Sequence, residues 1–303
     1  MSGPSPVGGT APGAGVRELT GRHLSRFQSG DVLVLLAFLI LATIVACALL
    51  PSNLAPHKPN EQEITLRLKP PGWMAGGNAA HPLGTDQLGR DILSRVVYGA
   101  RISLIVALSA LAISGTIGVT IGLLAGYYGG WLDDWIMRIA DIQLSIPYVL
   151  LAIAIIVVVG TSTQNVVLVL ALYGWVVYAR LARGQTLSLR EREFIQAYRA
   201  MGARDWRIIV QHILPNLLSA VIVVGSLELA GIITLESSLS FLGLGIQPPT
   251  VSWGVMLADG RTYLLGGAWW VVTFPGVAIT LTVLSINVVA DWLRDVLDPR
   301  LKV

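Results

Sequence analysis

GQTLSLREREFIQAYRAMGARDWRIIVQHILPN, residues 184–216, interrupts a chain otherwise built from long apolar blocks. Within it Phe194, Tyr198 and Met201 fall at i, i+4 and i+7, which is one face of a helix. Glu191, Glu193 and Arg199 occupy much of the remainder. Gly202 is a natural stop for that helix, and a second short helix is expected to start near Asp205 and end before Pro215. The pattern predicts a helix–turn–helix presenting an apolar ridge with charged flanks. Two readings stand on periodicity alone. One is an amphipathic loop lying on a membrane surface; the other is a docking helix whose ridge enters a groove on a soluble partner.

The blocks on either side decide the fold class. Apolar residues make up 54% of the 303 residues and charged ones 13%, about half the usual charged share. Mean hydropathy is +0.68. This composition excludes a soluble enzyme, a disordered scaffold and a disulfide-rich module. The single cysteine, Cys47, permits neither an internal disulfide nor a cysteine metal cluster. The three lysines (Lys58, Lys69, Lys302) never follow a glycine, so the chain lacks the glycine-lysine phosphate loop of an ATPase.

A hydrocarbon core of about 30 Å takes around 20 helical residues to cross. Six blocks meet that requirement or approach it: Val32–Leu50, Ile102–Gly126, Ile142–Val159, Val166–Leu181, Leu217–Leu239 and Ala268–Ala290. The fourth is short enough for Arg180 to snorkel to the surface. The expected architecture is an all-α membrane protein with six transmembrane helices. Residues 1–29 form an expected disordered cytoplasmic tail, and residues 30–300 a single transmembrane domain. That domain carries an external loop over 51–101 and a cytoplasmic loop over 184–216. The first block is followed by Pro51 and a polar stretch, not a cleavage site, so it is read as a retained anchor. Most of the 21 Lys and Arg residues fall on segments that are internal if the N-terminus is inside, which predicts an N-in, C-in arrangement.

Several smaller features need weighing. Ser114, Gly118, Gly122 and Gly126 recur every four residues, a small-residue stripe that lets a helix backbone approach a neighbour. Glu228 and Glu236 lie in the fifth block, where a carboxylate is costly unless paired, wetted or protonated. Glu228 is a candidate pathway residue; Asn287, Thr273 and Ser226 are further candidates that nothing sets apart. Leu88, Ile92, Leu93, Val96 and Val97 suggest an outer interfacial helix. Pro147 and Pro275 suggest kinks, and Pro248, Pro249 and Trp253 an outer elbow open to a docking protein. His81 and His212 are expected on opposite faces, so no metal site is assigned, and no catalytic set is legible.

The segment from Gln196 to Gly202, followed by Ile213, Leu214 and Pro215, resembles the "EAA" loop of permease subunits of ATP-binding-cassette importers. Ala197, Gly202, Leu214 and Pro215 match that pattern, while Gln196 stands for its Glu and Tyr198 for its second Ala. Residues His81 to Asp91 running on to Leu104, Leu235 to Gly245 with Ser252 to Gly254, and Leu293 to Pro299 are similar to the C-type subunit of the dipeptide/oligopeptide permease family. The resemblance spans roughly residues 30–300. It implies the importer permease (MetI-like) fold and pairing with a homologous B-type permease subunit. It also implies that Glu193, Phe194, Gln196, Ala197, Tyr198, Arg199, Met201 and Gly202 form a helix seated in a cleft of an ATPase subunit. Tyr198 in place of Ala implies a differently shaped cleft. Glu236 falls on the family signature, where it ties local helices.

The function this implies is half of a peptide pathway in a bacterial or archaeal cytoplasmic membrane, surrounded by lipid. An external binding protein would deliver the substrate, and two ATPase subunits would hold ATP and Mg. The chain itself binds no cofactor and no nucleic acid. Relatives with these motifs also carry nickel, glutathione or oligosaccharides. A reading from another class is a proton-coupled secondary carrier centred on Glu228, although such carriers commonly show two related halves and no internal repeat is visible.

Overall fold

The computed structural model describes residues 29–297, and among these residues the regular structure is helical. The helices are α1 (Ser29–Leu49), α2 (Pro51–Leu54), α3 (Ile92–Tyr128), α4 (Gly130–Ser145), α5 (Tyr148–Val159), α6 (Thr163–Arg190) and α7 (Glu193–Ala200). They continue as α8 (Asp205–Ile208), α9 (Leu214–Phe241), α10 (Trp253–Leu264) and α11 (Trp270–Leu297). A tail expected over residues 1–29 falls outside the described residues up to Ser29. The helices α1, α3, α6, α9 and α11 are long and apolar enough to cross a membrane.

The third crossing differs from the straight span expected over Ile142–Val159. Pro147 lacks an N–H and disfavours helical geometry in the residue before it; Ile146 is extended, with φ −99° and ψ 125°. The chain bends by 94° there, between α4 and α5. At 12 residues, α5 is about 18 Å long and cannot cross the core alone. Topology nevertheless requires a crossing. Ser114 faces Gly174, Gly118 faces Trp175 and Tyr178, Gly122 faces Ala179, and Gly126 faces Arg183 and Thr186. The pairs advance together, so α3 and α6 are parallel and their connection must return across the bundle. The bent pair does so. Asp133 pairs with Arg183, Asp141 with Arg180 and Gln143 with Trp175, so α4 climbs antiparallel to α6. Beyond the bend, Ala152 and Ile156 pack into the core beside Val166 and Val169.

Six crossings therefore place both ends of the described chain on one face, that of α7. The aromatic contact of Phe38 with Trp292, at 5.4 Å between ring centroids, joins α1 and α11. Ala48, near the other end of α1, packs with Trp253 and Trp270 on the far face.

Three further expectations are corrected by continuity. The residues from Ile92 to Val97 begin α3 instead of forming a separate interfacial helix, and Ile92 is fully buried. The irregular chain after α2 therefore ends at Asp91, and residues 92–101 of the expected loop are helical. Likewise α6 runs on to Arg190, so the polar loop opens at Glu191 and not at 184. The second short helix does not stop before Pro215: α8 passes through a π turn (Ile209–Ile213) into α9, with Pro215 in the first turn of α9. The proline follows directly on the π turn, in which the Leu214 N–H bonds to the Ile209 carbonyl, a local rearrangement of the backbone ladder that accommodates a residue without an N–H.

On the far face the loop after α2 is an ordered cap. The Trp270 indole donates to the Thr85 carbonyl at 3.1 Å, the Trp253 indole to the Val96 carbonyl at 2.9 Å, and Asn60 to the Pro249 carbonyl at 2.9 Å. Trp253 is 1% exposed and belongs to this packing, while Pro248 and Pro249 of the expected elbow are exposed.

Candidate functional site

The site is built where four helix ends meet. Arg190, the last residue of α6, donates from Nη1 to the carbonyls of Gly126 (3.0 Å) and Tyr127 (3.4 Å). A cation thus closes the carboxyl end of α3, where the backbone dipoles favour positive charge. Two residues later α7 begins. Ile195 is its anchor: it is fully buried among Leu189, Ile208, Ile209, Ile213 and Leu217. Gly202 has φ +79°, a left-handed conformation that glycine adopts without steric cost. Its N–H donates to the Arg199 carbonyl (2.9 Å), and the Ala203 N–H to the Tyr198 carbonyl (3.1 Å). That pair of bonds is a Schellman closure.

The apolar ridge expected from Phe194, Tyr198 and Met201 is divided in the structure. Tyr198 turns toward its own chain and stacks on His212, with ring centroids 4.0 Å apart. Phe194 is 39% exposed and Met201 72%; with exposed Ala197 they stand at i, i+3 and i+7. Trp206, 53% exposed, extends this apolar surface. Glu193, Gln196 and Arg199 are exposed around it. Gln196 donates to the Arg190 carbonyl at 3.3 Å, which links α7 back to the end of α6. Tyr127 is a residue that periodicity did not single out. Its hydroxyl donates to Asp205 Oδ1 at 2.7 Å, and the Arg199 guanidinium lies 4.9 Å from its ring centroid. One α3 side chain therefore holds both arms of the α7–α8 hairpin. The missing signal was tertiary, since Tyr127 and Asp205 are 78 residues apart.

The small-residue stripe of Ser114, Gly118, Gly122 and Gly126 lies against α6 of the same chain. A Cβ at Gly118 or Gly122 would collide with the carbonyls of Trp175 or Ala179. The two carboxylates separate clearly. Glu236 is fully buried; its Oε1 accepts from Ser240 Oγ (2.8 Å) and from Ser252 Oγ (3.0 Å), the N-cap of α10. It thus ties α9 to α10. Glu228 is half-buried on α9. Near it a cleft of about 500 Å³ opens between α3 and α9, lined among others by Gly115, Tyr178, Gly225 and Ser226, and Glu228 is not part of that lining. Ser226 donates to the Ile222 carbonyl of its own helix, and Thr273 to the Trp269 carbonyl just before α11.

The family model described as "Binding-protein-dependent transport system inner membrane component" matches residues 118–303. The chain is 44% identical to the di/tripeptide transport system permease protein DppC of Pseudomonas aeruginosa, over 87% of each chain. It is 42% identical to the dipeptide transport system permease protein DppC of Bacillus subtilis, over 89% of this chain and 82% of that one. With the probable D,D-dipeptide transport system permease protein DdpC of Escherichia coli, identity is 41% over 92% of each. Among solved structures, a chain of the inward-facing MetNI methionine ABC transporter aligns with a TM-score of 0.54 at 21% identity. The alignment covers 67% of this chain and 96% of that one, and it establishes a shared fold. The chain belongs to the binding-protein-dependent transport system inner membrane components, the membrane subunits of ABC importers.

Proposed function

We propose that this chain forms one half of the pathway of an ATP-driven importer of di- or oligopeptides, and that α7 receives the motion of an ATPase subunit. The observation that carries this reading is the construction of the α7 hairpin. It is fastened to the ends of α3, α6 and α9 by Tyr127, Gln196 and Ile195, yet it leaves Phe194, Ala197 and Met201 uncovered. A surface helix with a buried anchor and an unburied apolar ridge suits a lever seated in a partner's cleft. Displacement of α7 moves three crossing helices at once, so ATP binding at the partner biases a two-state packing of the bundle. The α7 face is then cytoplasmic, which makes the arrangement N-in and C-in. A homologous permease subunit completes the pathway, an external binding protein loads the far face, and ATP and Mg reside on two ATPase subunits.

The peptide substrate rests on the names of the relatives; nickel, glutathione or an oligosaccharide would use the same architecture. The test is uptake of labelled dipeptide by vesicles holding the whole complex. Accumulation requires ATP, and Glu228→Gln retains it within about twofold because the reading gives that carboxylate no proton to carry. Uptake driven by a proton gradient without ATP, and lost in Glu228→Gln, would move the protein to the secondary-carrier class.

A further inference from the structure

The far face brings together three side chains that the transport reading leaves unused. His57 sits in the irregular strap after α2, His81 in the cap, and Asp91 at the N-cap of α3. One ligand atom from each lies within 4.8 Å of the others. The imidazoles are stacked, with centroids 4.6 Å apart, and both turn Nδ1 toward one carboxylate. His81 Nδ1 is 3.0 Å from Asp91 Oδ1, and His57 Nδ1 is 3.9 Å from Asp91 Oδ2.

We propose that His57, His81 and Asp91 bind a single divalent transition-metal ion of the zinc class. Two imidazole nitrogens and one carboxylate oxygen are a borderline donor set that favours zinc or nickel over magnesium or calcium. Three protein ligands leave a fourth position for water or another ligand. Two donors about 2.1 Å from zinc at a tetrahedral angle stand about 3.4 Å apart, so the His81–Asp91 pair, at 3.0 Å, needs to open by only about 0.4 Å. The His57 side chain is 31% exposed, stands 3.9 Å from Asp91 Oδ2 and lies on irregular backbone, so it can close the remaining half ångström or so without disturbing a helix.

Two observations point past a plain hydrogen-bonded staple. His57 Nδ1 is shielded from solvent and has no hydrogen-bond partner, an arrangement that costs free energy unless something binds there. Asp91, 1% exposed, has these two imidazoles as its basic neighbours and pairs with no Lys or Arg among the described residues. The adjacent charges are occupied with one another, since Arg90 and Arg95 pair with Asp86 and Asp259. A second layer is also in place. Ser94 donates to Asp91 Oδ2 from both N and Oγ at 2.7 Å, and its Oγ accepts the His57 N–H at 3.0 Å. Ser94 thereby orients the carboxylate and holds the strap, the outer-shell function that metal sites require. On binding, the ion takes the place of the proton that His81 Nδ1 shares with Asp91 Oδ1, and the ring binds as the neutral tautomer with its proton on Nε2. The bound ion clamps the strap to the amino end of α3.

The test is Zn²⁺ titration of the purified, tag-free full chain in lipid nanodiscs, read by competition with a chromophoric chelator and by thermal unfolding. We expect a micromolar or tighter Zn²⁺ site that Mg²⁺ does not compete for, and a rise in unfolding temperature on loading. His57→Phe keeps the ring stack and removes the donor. Asp91→Asn keeps a helix-capping oxygen and removes the charge. Each should weaken Zn²⁺ binding at least tenfold and abolish the thermal shift. Absence of such a site, or binding by His57→Phe equal to that of the unaltered chain, would overturn the proposal. If His57→Phe does not fold, the Asp91→Asn comparison decides in the same way.

Discussion

At the scale of single residues, two neighbours on α7 face opposite environments. Ile195 is completely buried and Phe194 is not. Truncating a buried isoleucine costs about 2–5 kcal/mol, and here the loss falls on the contact that fastens α7 to the bundle. Ile195→Ala is expected to lower stability and to uncouple the importer, so that uptake falls at least tenfold while the ATPase subunits still hydrolyse ATP. Phe194→Ala changes an exposed side chain and should leave stability within about 0.5 kcal/mol. It should nevertheless reduce uptake by weakening contact with the partner. Thermal unfolding and vesicle uptake, measured on the same preparations, separate the two effects. Gly202 offers a second residue-scale prediction. At φ +79° it donates to the Arg199 carbonyl; proline fixes φ near −65° and has no N–H. Gly202→Pro therefore abolishes uptake while the chain still inserts, and normal uptake by this variant would count against the lever.

Among elements, the parallel α3–α6 pair is the frame on which the rest is hung. Its closeness depends on Gly118 and Gly122 meeting backbone carbonyls of α6, which cannot rotate away as a side chain can. Gly122→Val should therefore prevent accumulation of folded chain, seen as loss of the monodisperse peak in detergent. Gly115→Ala, whose added methyl would rest 3.8 Å from the Tyr178 ring, should be tolerated. Tyr127 links this frame to the α7 hairpin. Tyr127→Phe removes its hydrogen bond to Asp205 and keeps the ring beneath Arg199. A bond of this kind is worth about 1 kcal/mol, so peptide moved per ATP hydrolysed should fall several-fold with little change in folding. An unchanged transport ratio would remove Tyr127 from the coupling path.

For the whole molecule, six crossings with a bent third put both described ends and α7 on one side. The sidedness can be read directly because Cys47 is the one native thiol. In a Cys47→Ser background, Met201→Cys should react with an impermeant maleimide in inside-out vesicles from cells lacking the ATPase subunits and stay unlabelled on intact cells. Labelling from outside would invert the scheme. The far face carries the strap and cap, where Trp253 and Trp270 close the ends of the helices. A binding protein on this face would therefore meet the cap together with exposed Pro248 and Pro249, and not Trp253.

Much of this was legible from the chain itself. Membrane class and the number of crossings follow from block length and hydropathy, because lipid requires every spanning backbone group to be satisfied within its own helix. The stop at Gly202 and the small-residue stripe are likewise local, set by backbone conformation and side-chain volume. Tertiary packing decided the rest. Periodicity names the side chains that share a helical face but not what covers that face, so Ile195 took the anchoring place and Tyr198 turned inward onto His212. Hydropathy averages over Pro147, whose missing N–H bends the third crossing. Only the folded cap brought His57, His81 and Asp91 within reach of one ion, because contacts between distant segments depend on loop paths that no local pattern encodes.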